Sequence, residues 1–245
     1  MQIDTSSPLL PLDGPQWDRF RQREELRKAM LDRRFDEVER LLAALEAAWW
    51  QPVDLADDHY TYLATDAGVF DFASVDAALR LELLHEWSRA YPASYHARQI
   101  TGQYYFRRAC DIRTAAWAAD VGSDQWLAAH MACATAAAHL LEAMALSGRP
   151  ALAAETMMEM SQYLGQPNFV DALFRGSRIE KTMQRDEFEP DLYDAACAQL
   201  TRHGIKPPGI VTATLPASLP PLQQGDAENP GYYWLRYCLS LKPRW

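Results

Sequence analysis

The chain has 245 residues, 49% of them hydrophobic, and a formal net charge of −9. That length fits one medium domain or two small ones. The apolar content excludes disorder, and the acidic balance excludes a nucleic-acid binder that works by bulk positive charge. Ala (38) and Leu (29) far outnumber Val (7) and Ile (6), which favours helices, because β-branched side chains are what strands select.

Asp13-Gly14-Pro15 opens the first expected helix, with Trp17, Phe20, Met30 and Leu31 available for its apolar face. Arg33 to Asp36 is a short break. A second helix then places Val38, Leu41, Leu42, Leu45 and Trp49 on one amphipathic stripe, and two helices joined so tightly are expected to lie antiparallel. Pro52 to Phe72 is rich in Asp and aromatics and reads as loop, with one short helix or strand around Tyr60 to Ala64. Ser74 is the expected cap of the next helix, with Asp76 in its first turn and Val75, Leu79, Leu83 and Trp87 stepping by four. Tyr91-Pro92 stops it, and Ser94 caps a long successor running to about Ala119.

Gly122-Ser123-Asp124 precedes an Ala-rich helix from Gln125 to Leu146. Its stretch from Trp126 onward is the most apolar in the chain. His130, His139 and Glu142 within it would be costly in lipid, so a buried helix of a soluble protein is expected. Pro150 leads into a helix carrying Leu152, Met157, Met160 and Leu164 up to Gly165, and Asn168 starts a short one through Phe174. Pro190 opens a further helix, with Leu192, Tyr193, Ala196 and Leu200 facing inward and Gly204 as terminator. Six of the fifteen prolines then fall between Pro207 and Pro230, which excludes helix for most of that segment. Val211 to Leu215 is apolar enough to dock, so the segment is expected to be an extended strap. Tyr232 to Leu239 reads as a last helix. The expected organisation is a helical domain over 1–204, a Pro-rich strap over 205–230, and a C-terminal helix over 231–245 packed on the same domain.

Two stretches carry worn tetratricopeptide spacing. Gly102 and Tyr105 sit where the first helix of that repeat wants a small residue and an aromatic, and Ala136, Leu140 and Ala143 follow its second. The expected fold is therefore all-α, with antiparallel hairpins stacked in a tetratricopeptide-like array. The chain also resembles a bacterial family catalogued as a domain of unknown function (number four-zero-three-four). The carrying residues are Arg34-Phe35-Asp36-Glu37, Trp87 with Tyr91-Pro92-Ala93-Ser94-Tyr95-His96-Ala97, Gly102-Gln103-Tyr104-Tyr105, Arg113, and Leu241-Lys242-Pro243-Arg244-Trp245. Coverage would run from about residue 25 to the end. Family members usually continue past the Pro-Arg-Trp with glycines and more helix, so nothing tied to that extension is carried over. The resemblance implies a helical fold and a bacterial cytosolic home, and no reaction.

Scattered Cys110, Cys133, Cys197 and Cys238, without a CxxC pair, also fit a reducing cytoplasm. Met1 to Pro15 lacks a basic segment and an apolar run of signal length. No nucleophile elbow, Gly-rich phosphate loop or dinucleotide fingerprint occurs, so no cofactor is expected. His85-Glu86 lacks the second His of a zincin helix. His130 and Cys133 lie one turn apart and could share a metal, but core packing is favoured. His130 and His139, nine residues apart, point to opposite sides of one helix. Glu155 and Glu159 share a face and read as solvated.

The expected binding residues are Tyr95, His96, Tyr104, Tyr105, Arg107, Arg108 and Arg113, because Tyr and Arg together compose binding hot spots. The competing explanation is that the tyrosines are core and the arginines neutralise nearby acids. Asp54, Asp57, Asp58 and His59 are the catalytic alternative, a loop cluster suited to a hydrolase or transferase. The leading expectation is a non-enzymatic helical-repeat protein that binds a protein. The negative charge favours a basic partner such as a toxin domain, which an immunity protein would neutralise. A small-ligand sensor is the third option. Neither nucleic acid nor membrane is an expected partner.

Overall fold

The Ala and Leu excess resides in helices. The computed structural model describes residues 14–51, 59–70, 75–165, 167, 170, 179–182, 185–207, 210–226 and 228–241. Among these, the α-helices in chain order are α1 (Gly14–Leu31), α2 (Phe35–Trp49), α3 (His59–Leu63), α4 (Asp66–Val69), α5 (Ala77–Ala90), α6 (Tyr95–Arg113), α7 (Ser123–Leu146), α8 (Ala151–Tyr163), α9 (Pro190–Arg202) and α10 (Pro230–Ser240). The fold is all-α apart from two short strands, β1 (Ile179–Thr182) and β2 (Ile210–Ala213), which pair antiparallel with Ile179 opposite Ala213. The short helix expected from Asn168 lies largely outside the described residues.

Local chemistry sets most boundaries. Ser94 caps α6 by accepting from the Ala97 N–H at 3.0 Å, and Gln125 Oε1 accepts from the Gly122 N–H at the start of α7. Three expectations change. The cap of α5 is Asp76, whose Oδ1 accepts from the Ala78 N–H at 2.9 Å, while Ser74 lies outside the described residues. The inward face of α5 is formed by Arg80, Leu81, Leu83, Leu84, Trp87 and Ser88, whereas Leu79 is 37% exposed. Helix α6 ends at Arg113 rather than near Ala119, because Thr114 takes φ 63°. The loop between α2 and α5 also holds a second short helix, α4, whose cap Thr65 accepts from the Gly68 N–H.

The core is centred on α6 and α7. Gly102 of α6 sits under α7 so closely that a Cβ would lie 2.7 Å from Leu140 Cγ and 3.0 Å from the Ala136 carbonyl oxygen. The alanines of α7 permit this approach, and Ala128, Ala129, Ala132, Ala136 and Ala143 are all buried. Helix α6 also packs against α4, α5 and α8, so most of its circumference is interior. Helices α8 and α10 run antiparallel: Gly231 lies against Gln162 at one end, and Cys238 lies near Glu155 at the other. Residues 205–207 and 210–226 hold no helix, only strand β2 and turns. Ile205 and Ala213 are buried, the Tyr233 hydroxyl donates to the Pro220 carbonyl at 2.8 Å, and Arg236 pairs with the buried Asp226. No helix among the described residues is long and apolar enough to cross a membrane.

Candidate functional site

A cleft of about 830 Å³ lies where α5, α6, α7 and the segment after α9 converge. Helix α5 lines it with Ala78, Leu81, Glu82, His85, Ser88 and Arg89, successive positions of one helical face. Helix α6 adds Arg98, α7 adds His139, and the exit from α9 adds Gly204 and Lys206. Gly204 is what lets that exit close on α5. It takes φ 73°, and a Cβ there would stand 2.8 Å from Ala77 Cβ.

Two imidazoles line the floor, and a buried phenol backs them. The Tyr105 hydroxyl and His85 Nε2 share a hydrogen bond of 3.2 Å. The Tyr105 ring stacks on His139, with centroids 5.8 Å apart and planes 14° from parallel, and the two imidazole centroids are 6.4 Å apart. Burial lowers the His139 pKa to about 3, with the charge of Arg98 and then His85 adding to it. Burial likewise lowers His85, and the nearby charges of Arg89, Lys206 and Arg98 push the same way. Both rings are therefore neutral at pH 7. The His139 Nδ1 is shielded from solvent and makes no hydrogen bond among the described residues.

The cations are unevenly matched. Arg98 pairs with Glu142 at 3.2 Å. The Arg89 Nε donates only to the His85 carbonyl, at 3.3 Å, and neither Arg89 nor Lys206 has a carboxylate partner among the described residues. Glu82 lines the cleft but reaches outward to Arg33 at 3.7 Å, which also holds Glu86 at 2.7 Å. The result is a cleft with excess positive charge in an acidic protein.

The binding and catalytic residues expected from the sequence do not line the cleft, although Tyr105 meets its two histidines from behind. Tyr95, His96, Tyr104 and Tyr105 are all buried, because α6 is enclosed on several sides. The Tyr104 hydroxyl donates to the Ala77 carbonyl at 2.9 Å, and Arg108 covers its ring while pairing with Asp111. Arg107 pairs with the fully buried Asp66 at 3.1 Å, and Arg113 lies over the Trp126 ring. His59 begins α3, whereas Asp54, Asp57 and Asp58 lie outside the described residues. Cys133 is buried while His130 is exposed beside Trp126, so the two do not share a site. No group of three or more His, Cys, Asp or Glu among the described residues is arranged to hold a metal.

Two smaller polar clusters lie apart from the cleft. The Tyr60 hydroxyl meets His96 Nε2 at 3.1 Å, and that nitrogen lies 3.4 Å from Glu46 Oε2. Burial lowers His96 to about 4 and raises Glu46. A cavity of about 200 Å³ is lined by Gln103 and Arg107 on one side and by Glu155 and Glu159 on the other. Those two carboxylates are half-buried rather than solvated as expected. Burial, then the charge of Glu159, raises Glu155 to about 7.

Local spacing could not reveal the cleft, since its polar groups come from four separate segments. A signal was nevertheless present along α5. Glu82, His85 and Arg89 continue the face begun by Ala78 and Leu81, placing charge where an inward stripe would otherwise be apolar.

The fold and the cleft together define an all-helical domain with a polar, cation-lined recess. The chain belongs to the family described as Domain of unknown function (DUF4034), whose profile matches residues 22–245. No curated protein and no solved structure matches it.

Proposed function

We propose that the protein is a non-enzymatic ligand-binding protein whose site is the α5–α7 cleft. The observation that carries this reading is the convergence of His85, His139, Arg89, Arg98 and Lys206 on one recess of about 830 Å³. That volume lies in the range of small-molecule pockets, ~300–1,000 Å³. Its mouth combines apolar walls at Ala78, Leu81 and Pro92 with a few convergent polar groups, which is the composition such pockets need. A tetratricopeptide-type stacking of hairpins belongs to this reading. The contact of Gly102 with Leu140 and Ala136 supports it as the small-residue packing that repeat uses.

The test is a thermal-shift screen against a metabolite library, run on the full chain and on Ala78→Trp. Ala78 is exposed and lines the cleft, so the indole intrudes on the recess without entering the core. Ligands of the site raise Tm in the native chain and not in the variant. A library in which no compound makes that distinction would overturn the reading.

A second reading, binding of a protein partner, rests on the outward face of α10. Tyr232 (65% exposed), Leu235 (37%) and Leu239 (58%) form an apolar stripe there. The net charge of −9 favours a basic partner on this face, and a toxin domain is one such protein. Affinity capture from the native cell, compared with Leu235→Glu/Leu239→Glu, tests it. A stoichiometric partner lost in the double variant supports the reading, and an equal yield of the same partner sinks it.

A further inference from the structure

We infer that the ligand of the α5–α7 cleft is a small organic anion, recognised through a phosphate or carboxylate group. The inference rests on the reading of that cleft as a ligand site and adds the charge class of what it takes.

Charge balance points to this class. The chain holds 33 acidic against 24 basic residues, so a random surface recess would carry at least as many carboxylates as cations. This one is lined by Arg89, Arg98 and Lys206 against the single carboxylate of Glu82, which is drawn outward to Arg33. Arg98 is partly neutralised by Glu142, whereas Arg89 and Lys206 have no carboxylate partner among the described residues. An oxyanion between the latter two would gain charge-assisted hydrogen bonds and lose little, because their ends are already at the solvent edge. The recess is far larger than a bare oxyanion needs. Ala78, Leu81 and Pro92 therefore assign the remainder of the ligand to a carbon skeleton.

The floor of the cleft adds a proton response. His85 and His139 face each other, Tyr105, Arg89, Arg98 with its partner Glu142, Lys206 and Glu82. In the empty cleft the cations oppose protonation of both rings. A bound anion reverses the sign of the local field and favours the imidazolium forms, whose N–H groups can donate to it. His139 Nδ1, shielded and without a hydrogen bond among the described residues, is the nitrogen with a vacant role. Binding then takes up protons, so affinity falls as pH rises.

The experiment is calorimetric titration of the full chain with inorganic phosphate, glycerol 3-phosphate and citrate at constant ionic strength, with chloride as control. The comparison proteins are Arg89→Gln/Lys206→Gln and Ala78→Trp, all altered at exposed positions and checked for native helicity. At least one of the three anions binds the native chain. The double variant weakens that binding by about tenfold or more, and Ala78→Trp abolishes it. Corrected for each ligand's own ionisation, which falls in the same range, affinity is higher at about pH 6 than at about pH 8. A preference for glycerol 3-phosphate over citrate assigns the group as phosphate, and the reverse assigns carboxylate. The inference is overturned if none of the three binds, or if the double variant binds as well as the native chain. Neutral library compounds whose stabilisation is lost in Ala78→Trp would then leave the ligand-site reading standing. The absence of any Ala78-sensitive compound removes both.

Discussion

Two histidine–tyrosine pairs join helices in this protein, and their surroundings differ. Tyr60 and His96 are sealed inside, with Glu46 beside the same imidazole nitrogen. Tyr105 and His85 are linked by a similar hydrogen bond, yet His85 opens on a cleft edged by three cations. The same residue types therefore serve different ends. Where every polar atom finds a neighbour, the pair acts as a rivet between α3 and α6. Where cations crowd in and an imidazole nitrogen stays without a partner, the pair becomes part of a receptive surface.

Truncating the closed pair should have the largest consequence. His96→Ala removes the partner of the Tyr60 hydroxyl, leaves the Glu46 carboxyl beside a void, and lowers unfolding stability by about 3 kcal/mol in urea melts. His139→Ala, on the cleft wall, costs about 2 kcal/mol, because solvent reaches only the cleft side of the space left. Equal losses at the two positions would erase the distinction.

Acid titration breaks the comparison differently. The pKa of His96 is lowered to about 4 in the native state, against an ordinary value of 6.5. Its favourable contribution is complete above about pH 6.5 and is lost as pH falls towards 4, because the unfolded chain binds the proton first. Up to ~3 kcal/mol disappears over that window. Glu46, raised by burial, works in the opposite sense, losing its contribution as pH rises. The readout is therefore the difference between the native chain and His96→Gln, which keeps a polar partner for Tyr60 and flattens the slope.

Hydroxyl deletion gives smaller effects. Tyr60→Phe costs about 1.5 kcal/mol and Tyr105→Phe about 0.5 kcal/mol, since the His85 ring can turn to water. Smallest is Glu155→Gln, which relieves a half-buried carboxylate beside Glu159. It should stabilise by about 0.5 kcal/mol near pH 8 and have no effect near pH 3, where Glu155 is protonated in the folded and the unfolded chain alike.

Much of the helical frame was legible because short-range chemistry encodes it. Ser94, Gly122, Pro190 and Gly165 mark helix ends through caps and special φ values, and the α2 stripe from Val38 to Trp49 is buried at Val38, Leu41, Leu42 and Trp49. The stop of α6 was not legible, since nothing in the identity of Thr114 requires its φ of 63°. Nor was the depth of α6. Its Tyr–Arg pattern would suit an exposed groove equally well, and only packing by α4, α5, α7 and α8 places the rings inside. The opposed placement of His130 and His139 followed from helical geometry, and His130 is indeed exposed. What joins His139 to His85, Tyr105 and Lys206 is tertiary, and no local pattern carries it.

The contact at Gly102 has a mechanical consequence. With no side chain separating α6 from α7 at that point, neither helix can slide past the other without collision at Leu140 or the Ala136 carbonyl. The pair is one fixed jaw carrying Tyr105, Arg98 and His139. The opposing jaw is α5 with residues 204–206, tied to that pair where the Tyr104 hydroxyl donates to the Ala77 carbonyl and the Tyr105 hydroxyl meets His85. Arg89 and Lys206 are therefore the charges carried by the second jaw, as Arg98 and His139 are carried by the first.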